Sequence, residues 1–175
     1  MFLEKLNIKV DIVQVRNDLA TILNLTDWSG NQIGLTHRAL PQANLWKDCI
    51  GRLDIELMSE SNFSELNEQT PSYTKHILHQ LANTENIKLG RARFMRLLPN
   101  QGLSVHKDNS IRYHLVLETN QHSYIAQGVN QTDFKAVCYH IPSDGHFYKV
   151  DTTKEHFVYN GGKTERIHLV ICPSG

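Results

Sequence analysis

The sequence predicts a mainly β protein, a sandwich or barrel braced by helices near its N-terminus. Three observations carry this. From Ile87 onward the chain breaks into short runs rich in β-branched and aromatic residues, divided by turn clusters at nearly even spacing. The first half holds two stretches with helical apolar periodicity. Two of the later runs echo one another, RYHLVL at 112–117 and RIHLVI at 166–171, each with a polar face and an apolar face.

In order along the chain, the region from Val10 to Leu23 places Ile12, Val15, Leu19, Ile22 and Leu23 at helical spacing. Trp28 to Leu35 contains Ser29-Gly30 and Gly34 and reads as a turn leading into a short strand. Arg38 to Asn67 reads mostly as loop with short elements. A second helix is expected after Thr70, with Pro71 in its first turn and a stripe of Tyr73, Ile77, Leu78 and Leu81. Seven or eight strands follow: IKLGRARFMRLL, LSVH, IRYHLVLE, SYIAQG, KAVCYHI, HFYKV, HFVYN and RIHLVIC. A length of 175 residues suits one domain (1–175), divided here into a mixed helical and strand support (1–86) and a β core (87–175).

Eighteen basic and eighteen acidic residues cancel, so no global field favours nucleic acid or an anionic membrane. Three scattered cysteines make neither a disulfide framework nor a zinc spacing, which fits a reducing compartment. The N-terminus lacks the pattern of a signal peptide, and no apolar run approaches the ~18 residues of a membrane span. The expected setting is cytoplasmic, with no nucleic-acid or membrane partner.

The chemistry centres on His106-Lys107-Asp108. On or just after a strand, residues two apart point to the same side, so an imidazole and a carboxylate can reach one ion. His156 is the best third ligand. Two imidazoles and a carboxylate leave positions open and suit non-haem iron(II) with dioxygen. A lone H-x-D tripeptide arises often by chance, so the weight lies in its surroundings. The turn Pro99-Asn100-Gln101-Gly102 precedes it, Asn160-Gly161-Gly162 follows His156, and Arg166 stands ten residues after His156. The planar fork of an arginine can grip the distal carboxylate of a dicarboxylate through two charge-assisted hydrogen bonds.

Parity constrains the arrangement. A two-residue hairpin would put His156 and Arg166 on opposite faces, so a shared pocket needs a bulge, an odd loop, or a turn that changes sheet, as in a jelly roll. The polar faces of Arg112 and His114, and of Arg166 and His168, cannot be buried without partners.

The stretches ARFMRLLPNQGLSVHKD, RYHLVL and VDTTKEHFVYNGGKTERIHLVI resemble the aspartyl/asparaginyl β-hydroxylase-like branch of the 2-oxoglutarate/Fe(II)-dependent oxygenases, which includes proline hydroxylase-like members. The resemblance covers roughly residues 91–172. It implies a double-stranded β-helix (jelly roll, cupin-like) and a dioxygenase that hydroxylates an amino-acid side chain, free or in a peptide. It assigns iron to His106, Asp108 and His156 and the distal carboxylate of 2-oxoglutarate to Arg166. Arg112 and His114 match the family's R-x-H-L strand, whose polar residues approach the other end of the cosubstrate or the substrate. A serine that members often carry near the turn is absent, and Asn100 stands where glycine is usual. The alternative class is a cupin-like metal- or ligand-binding jelly roll without oxygenase activity. His37 and Arg38 are expected in a solvated loop, His76 and His79 on an exposed helix face, and His140, His146 and His168 as satisfied core or barrel residues. Trp28 and Trp46 read as packing anchors, and Asn160 as a turn residue able to brace His156.

Overall fold

The computed structural model describes residues 1–41, 44–52, 58–130 and 135–174. Its elements in chain order are β1 (Leu3–Lys9), α1 (Ile12–Leu23), β2 (Gln32–Gly34), β3 (Thr36–His37), β4 (Glu65–Leu66), α2 (Ser72–Glu85), β5 (Leu89–Leu97), β6 (Gln101–His106), β7 (Arg112–Glu118), β8 (Ser123–Asn130), β9 (Lys135–Tyr139), β10 (His146–Val150), β11 (His156–Asn160) and β12 (Arg166–Pro173). Among the described residues, eight strands, β5 to β12, occupy the region where seven or eight are expected. The chain forms two compact units, one of Met1–Lys9 with Arg96–His168, the other of Val10–Met95 with Leu169–Gly175.

In the first unit, β1, β10, β7 and the start of β12 are neighbours in that order, and β6, β11, β8 and β9 form a second sheet. The alternation of β11 sets the logic of the interior: His156, Val158 and Asn160 are buried, while Phe157 and Tyr159 are half-exposed. Val158 packs with Ile125 of β8, Val116 of β7, and Tyr148 and Val150 of β10, so residues of both sheets share one apolar cluster. Pairing of β11 with β8 runs without interruption from His156↔Gln127 to Asn160↔Ser123. This two-sheet arrangement is the jelly-roll solution among those that the parity of His156 and Arg166 allows: β11 lies in one sheet, β12 in the other.

β1 is absent from the sequence reading, although Phe2, Leu6, Ile8 and Val10 bury at even spacing. It pairs antiparallel with β10 from Leu3↔Val150 to Lys9↔His146. The short MFLEKLNIKV segment carries charged residues on its other face and so lacks the apolar continuity that marks the later strands.

The second unit carries both helices. Asp11 caps α1, accepting from the N–H of Val13 at 2.9 Å and of Gln14 at 3.2 Å. The buried stripe is Val15, Asp18, Leu19 and Ile22. Asp18 interrupts it for a reason: its carboxylate accepts from the Thr74 N–H at 2.9 Å and the Thr74 hydroxyl at 2.7 Å, tying α1 to the first turn of α2. Pro71 occupies the position before α2, one residue earlier than expected, and Thr74, Ile77, Leu78 and Leu81 form the buried stripe. His76 and His79 are exposed, as anticipated. β2 pairs with β5 from Gln32↔Met95 to Gly34↔Arg93, entered through a turn with Gly30 and Asn31 at positive φ. Among the described residues, the expected short elements between Arg38 and Asn67 are two single-turn helices and β4, which pairs with β3 just upstream; part of that stretch lies outside the described residues. Arg38 is ion-paired with Asp48 through its guanidinium and is not simply solvated. Trp46 is buried, as a packing anchor should be.

Candidate metal centre and cosubstrate pocket

His106, Asp108 and His156 converge within the first unit, their ligand atoms all within 4.8 Å of one another. His106 ends β6 and is the direct cross-strand partner of His156, which begins β11. The ring centroids are 4.3 Å apart. Asp108 Oδ2 lies 3.8 Å from His156 Nε2. The loop carrying Asp108 is pinned, since its N–H donates to the Thr152 carbonyl at 2.8 Å and the Thr152 hydroxyl donates to the Ser110 carbonyl at 2.7 Å.

Both imidazoles are oriented the same way. His106 Nδ1 lies 2.6 Å from the Ser104 carbonyl, and His156 Nδ1 lies 2.9 Å from the Lys154 carbonyl, each two residues upstream. A carbonyl only accepts, so each Nδ1 carries the proton and each Nε2 presents its lone pair to the common centre. Burial is the largest influence on His156 and pushes its basicity below the ordinary value, with His106 and Arg112 adding to the fall. A neutral imidazole is the form that ligates. An ion with bonds of about 2.1 Å spans at most about 4.2 Å between two ligand atoms. Small rotamer adjustments therefore suffice to close three such donors on one ion. The donor set, two imidazoles and a carboxylate, fits Fe(II) with positions left open.

Arg112 and His114 extend from the same face of β7. The Arg112 Nε sits 3.4 Å from Asp108 Oδ2, and its guanidinium also donates to the Ser110 hydroxyl. His114 Nδ1 lies 3.2 Å from His168 Nδ1 across to β12. Arg166 is 5% exposed at the head of β12, and among the described residues no carboxylate is paired with it. Burial alone lowers its pKa, to about 10. Asp151, a conceivable structural partner, is engaged by Lys154 at 3.0 Å. Arg166 and His168 line one narrow recess with Thr119, Ser123 and Tyr124.

Asn160 does not touch His156. Its Oδ1 accepts from Asn120, Ser123 and the Gly162 N–H, and its Nδ2 donates to the carbonyls of Leu97 and Thr164. It fastens the turn that carries the chain from β11 to β12. His168 departs from the expected satisfied core residue, because its Nε2 is buried without a hydrogen-bond partner. The signal lay in the RIHLVI echo, which puts His168 on the face of Arg166.

Comparison with known proteins fits this construction. The model of the aspartyl/asparaginyl β-hydroxylase family matches residues 10–172, and the chain belongs to that family. It is therefore an oxygenase of the hydroxylase kind, acting with dioxygen on a substrate. Solved structures with the same fold include AviO1 from Streptomyces viridochromogenes, 10% identical with a TM-score of 0.61, covering 99% of this chain and 90% of that one. HygX from Streptomyces hygroscopicus, solved with iron bound, is 9% identical with a TM-score of 0.58, covering 97% of this chain and 81% of that one. A prolyl-4-hydroxylase from Pseudomonas putida is 12% identical with a TM-score of 0.50, covering 62% and 68%. No curated protein sequence matches the chain. Among the described residues no helix is long and apolar enough to cross a membrane.

Proposed function

We propose that this protein is an Fe(II)- and 2-oxoglutarate-dependent dioxygenase hydroxylating an amino-acid side chain, free or within a peptide. In this reading residues 1–175 make one oxygenase domain working in the cytoplasm. His106, Asp108 and His156 hold the iron, Arg166 takes the distal carboxylate of 2-oxoglutarate, and Arg112 and His114 face its other end or the substrate. The observation that carries the proposal is the pairing of two unmet demands within one unit: three convergent metal donors, and a buried arginine that has no carboxylate partner among the described residues. An isolated buried cation is costly, and a dianionic cosubstrate removes that cost.

Bound iron would supply the oxidation of an unactivated C–H bond, coupled to decarboxylation of the 2-oxo acid. The chain's own residues prepare that step. The Ser104 and Lys154 carbonyls fix both imidazoles in the ligating tautomer. Arg112 holds one oxygen of Asp108 in place. Arg166 orients an extended dicarboxylate along the interior face, so that its oxo-acid end is presented to the His-Asp-His cluster. The Val116, Ile125, Tyr148 and Val158 cluster gives the interior a water-poor floor.

Anaerobic calorimetry with Fe(II), followed by 2-oxoglutarate, tests the reading. Ordered binding, with succinate released once oxygen is admitted, is the expected result. Metal binding without any 2-oxoglutarate binding or turnover sinks it in favour of a jelly roll that only binds metal.

A further inference from the structure

His168 is 1% exposed and follows Arg166 by two residues on β12, so the two side chains leave the strand on the same face. Both line the same recess. At 3.2 Å, the Nδ1 atoms of His168 and His114 share a single proton: one donates and the other accepts. With both rings neutral, that choice dictates which ring carries its second nitrogen as an N–H. When His114 donates, His168 must be protonated at Nε2, an atom that is buried and has no partner. Burial, reinforced by Arg166, His114 and His140, keeps His168 far below its ordinary basicity, so it acts as a neutral donor rather than as a second cation.

His114 Nε2 is likewise buried without a hydrogen-bond partner, but of the two rings only His168 shares the recess with Arg166. In the arrangement where His114 donates, a buried donor stands beside a buried guanidinium that has no carboxylate partner among the described residues. Together they describe one missing partner with two acceptor oxygens. We infer that His168, through Nε2–H, is a second anchor for the carboxylate held by Arg166, and that His114 is the positioning residue that sets its tautomer. The inference rests on the oxygenase reading above and deepens it at the distal end of the cosubstrate. An arriving carboxylate selects the arrangement in which His114 Nδ1–H donates to His168 Nδ1 and His168 Nε2–H faces the anion. The pair thereby reports occupancy of the pocket as a change of tautomer, without a change of net charge.

The test compares two probes on Mn(II)-loaded protein under nitrogen: 2-oxoglutarate, and 2-oxopentanoate, which replaces the distal carboxylate by a methyl group. His168→Leu should weaken 2-oxoglutarate about ten-fold or more, the size of a hydrogen bond to a charged group, and leave 2-oxopentanoate and Mn(II) within about two-fold. His168→Gln, which retains an N–H donor, should recover much of the preference. A general loosening of the core would instead weaken both oxo acids together and overturn the assignment. An unchanged preference for 2-oxoglutarate in folded His168→Leu also overturns it. If His168→Leu does not fold, ¹⁵N-histidine spectra of the unaltered protein decide: addition of 2-oxoglutarate should move His168 Nε2 to the protonated range, and no movement overturns the inference. Failure of the unaltered, metal-loaded protein to bind 2-oxoglutarate overturns the oxygenase reading itself, whereas Arg166-dependent binding that ignores His168 overturns this inference alone.

Discussion

His106 meets His156 only because β6 carries one residue too many. Across the β6–β11 pair, Asn160 opposes Gln101 and Val158 opposes Leu103, yet His156 opposes His106, so two steps along β11 match three along β6. Asn160 and Val158 point inward. Simple alternation from Leu103 would make Val105 the next inward residue and turn His106 away. The bulge between them re-aims the imidazole at the candidate metal centre, a common use of bulges beside active sites.

That relationship yields a sharp prediction. Deleting Val105 should restore regular alternation and face His106 outward. Metal affinity, read by anaerobic calorimetry with Fe(II), should then fall as far as in His156→Ala. Either loss should exceed the roughly 10–100-fold that outer-sphere partners of a metal command. Because β6 is an edge strand with Leu103 and Val105 already exposed, the deletion should leave the far-ultraviolet spectrum close to that of the unaltered protein. Retained iron affinity in the deletion variant would show that the bulge does not aim the ligand.

The bulge also marks where the sequence stops being readable. Which residue types gather at the candidate metal centre is visible in the chain, because H-x-D, His156 and Arg166 are each unusual in their surroundings. Parity leaves a bulge, an odd loop or a change of sheet between β11 and β12, and the chain takes the last. A bulge, however, leaves no composition signal in QGLSVH. β1 escaped for a related reason: Glu4, Lys5 and Lys9 thin out its apolar pattern, and its identity as a strand comes from β10 alongside it. His168 was visible as a neighbour of Arg166, but an unmet nitrogen appears only once its surroundings are in place.

The turn between β11 and β12 should be a stability hot spot. Asn160 is 0% exposed and uses its whole carboxamide, with three donors on Oδ1 and two carbonyls on Nδ2. Asn160→Ala leaves several of those groups buried and unpaired, for a loss of about 3 kcal/mol or more. A Cβ at Gly162 would collide with the Asn120 carboxamide, which cannot swing away without leaving Asn160 and Thr164. Gly162→Ala should therefore destabilise through the same network. Thermal denaturation should show a drop of roughly 6–12 °C for Asn160→Ala. A change of under about 2 °C would mean that water replaces the amide.

Stability should fall in acid through Asp144. Burial opposes ionisation of this carboxyl, but hydrogen bonds from Lys5, the His146 N–H and Tyr148 outweigh it and hold its pKa down at about 2. A depressed folded-state value stabilises the fold above the unfolded value near ~3.9, and that stability is lost as pH falls toward 2. Allowing for partial exposure of Asp144 and of its partner Lys5, the contribution is about 1–2 kcal/mol. Urea denaturation at pH 6 and pH 3 should show Asp144→Asn less stable than the unaltered protein at the higher pH, with the gap narrowed by about half at the lower, because pH 3 still lies above the folded value. A constant gap across that range would place the stabilisation elsewhere.

In the proposed reading, Arg166 decides the cosubstrate. Its guanidinium is buried in the first unit, and among the described residues it has no carboxylate partner; Thr164 and His168 occupy the flanking positions on its own face. Burial lowers its pKa only to about 10, so it is a cation at neutral pH. Removing one member of a buried charge pair commonly costs about 2–5 kcal/mol, so Arg166→Ala should raise the half-saturating 2-oxoglutarate concentration about thirty-fold or more. Arg166→Lys should recover only part of this, because an ammonium cannot present the two parallel donors of a guanidinium. Iron affinity measured without cosubstrate should stay near that of the unaltered protein, since no ligand atom depends on Arg166. Loss of iron binding together with 2-oxoglutarate would mean that Arg166 holds the interior together. Normal 2-oxoglutarate saturation in Arg166→Ala would remove the anchor altogether, leaving the metal centre without an assigned cosubstrate.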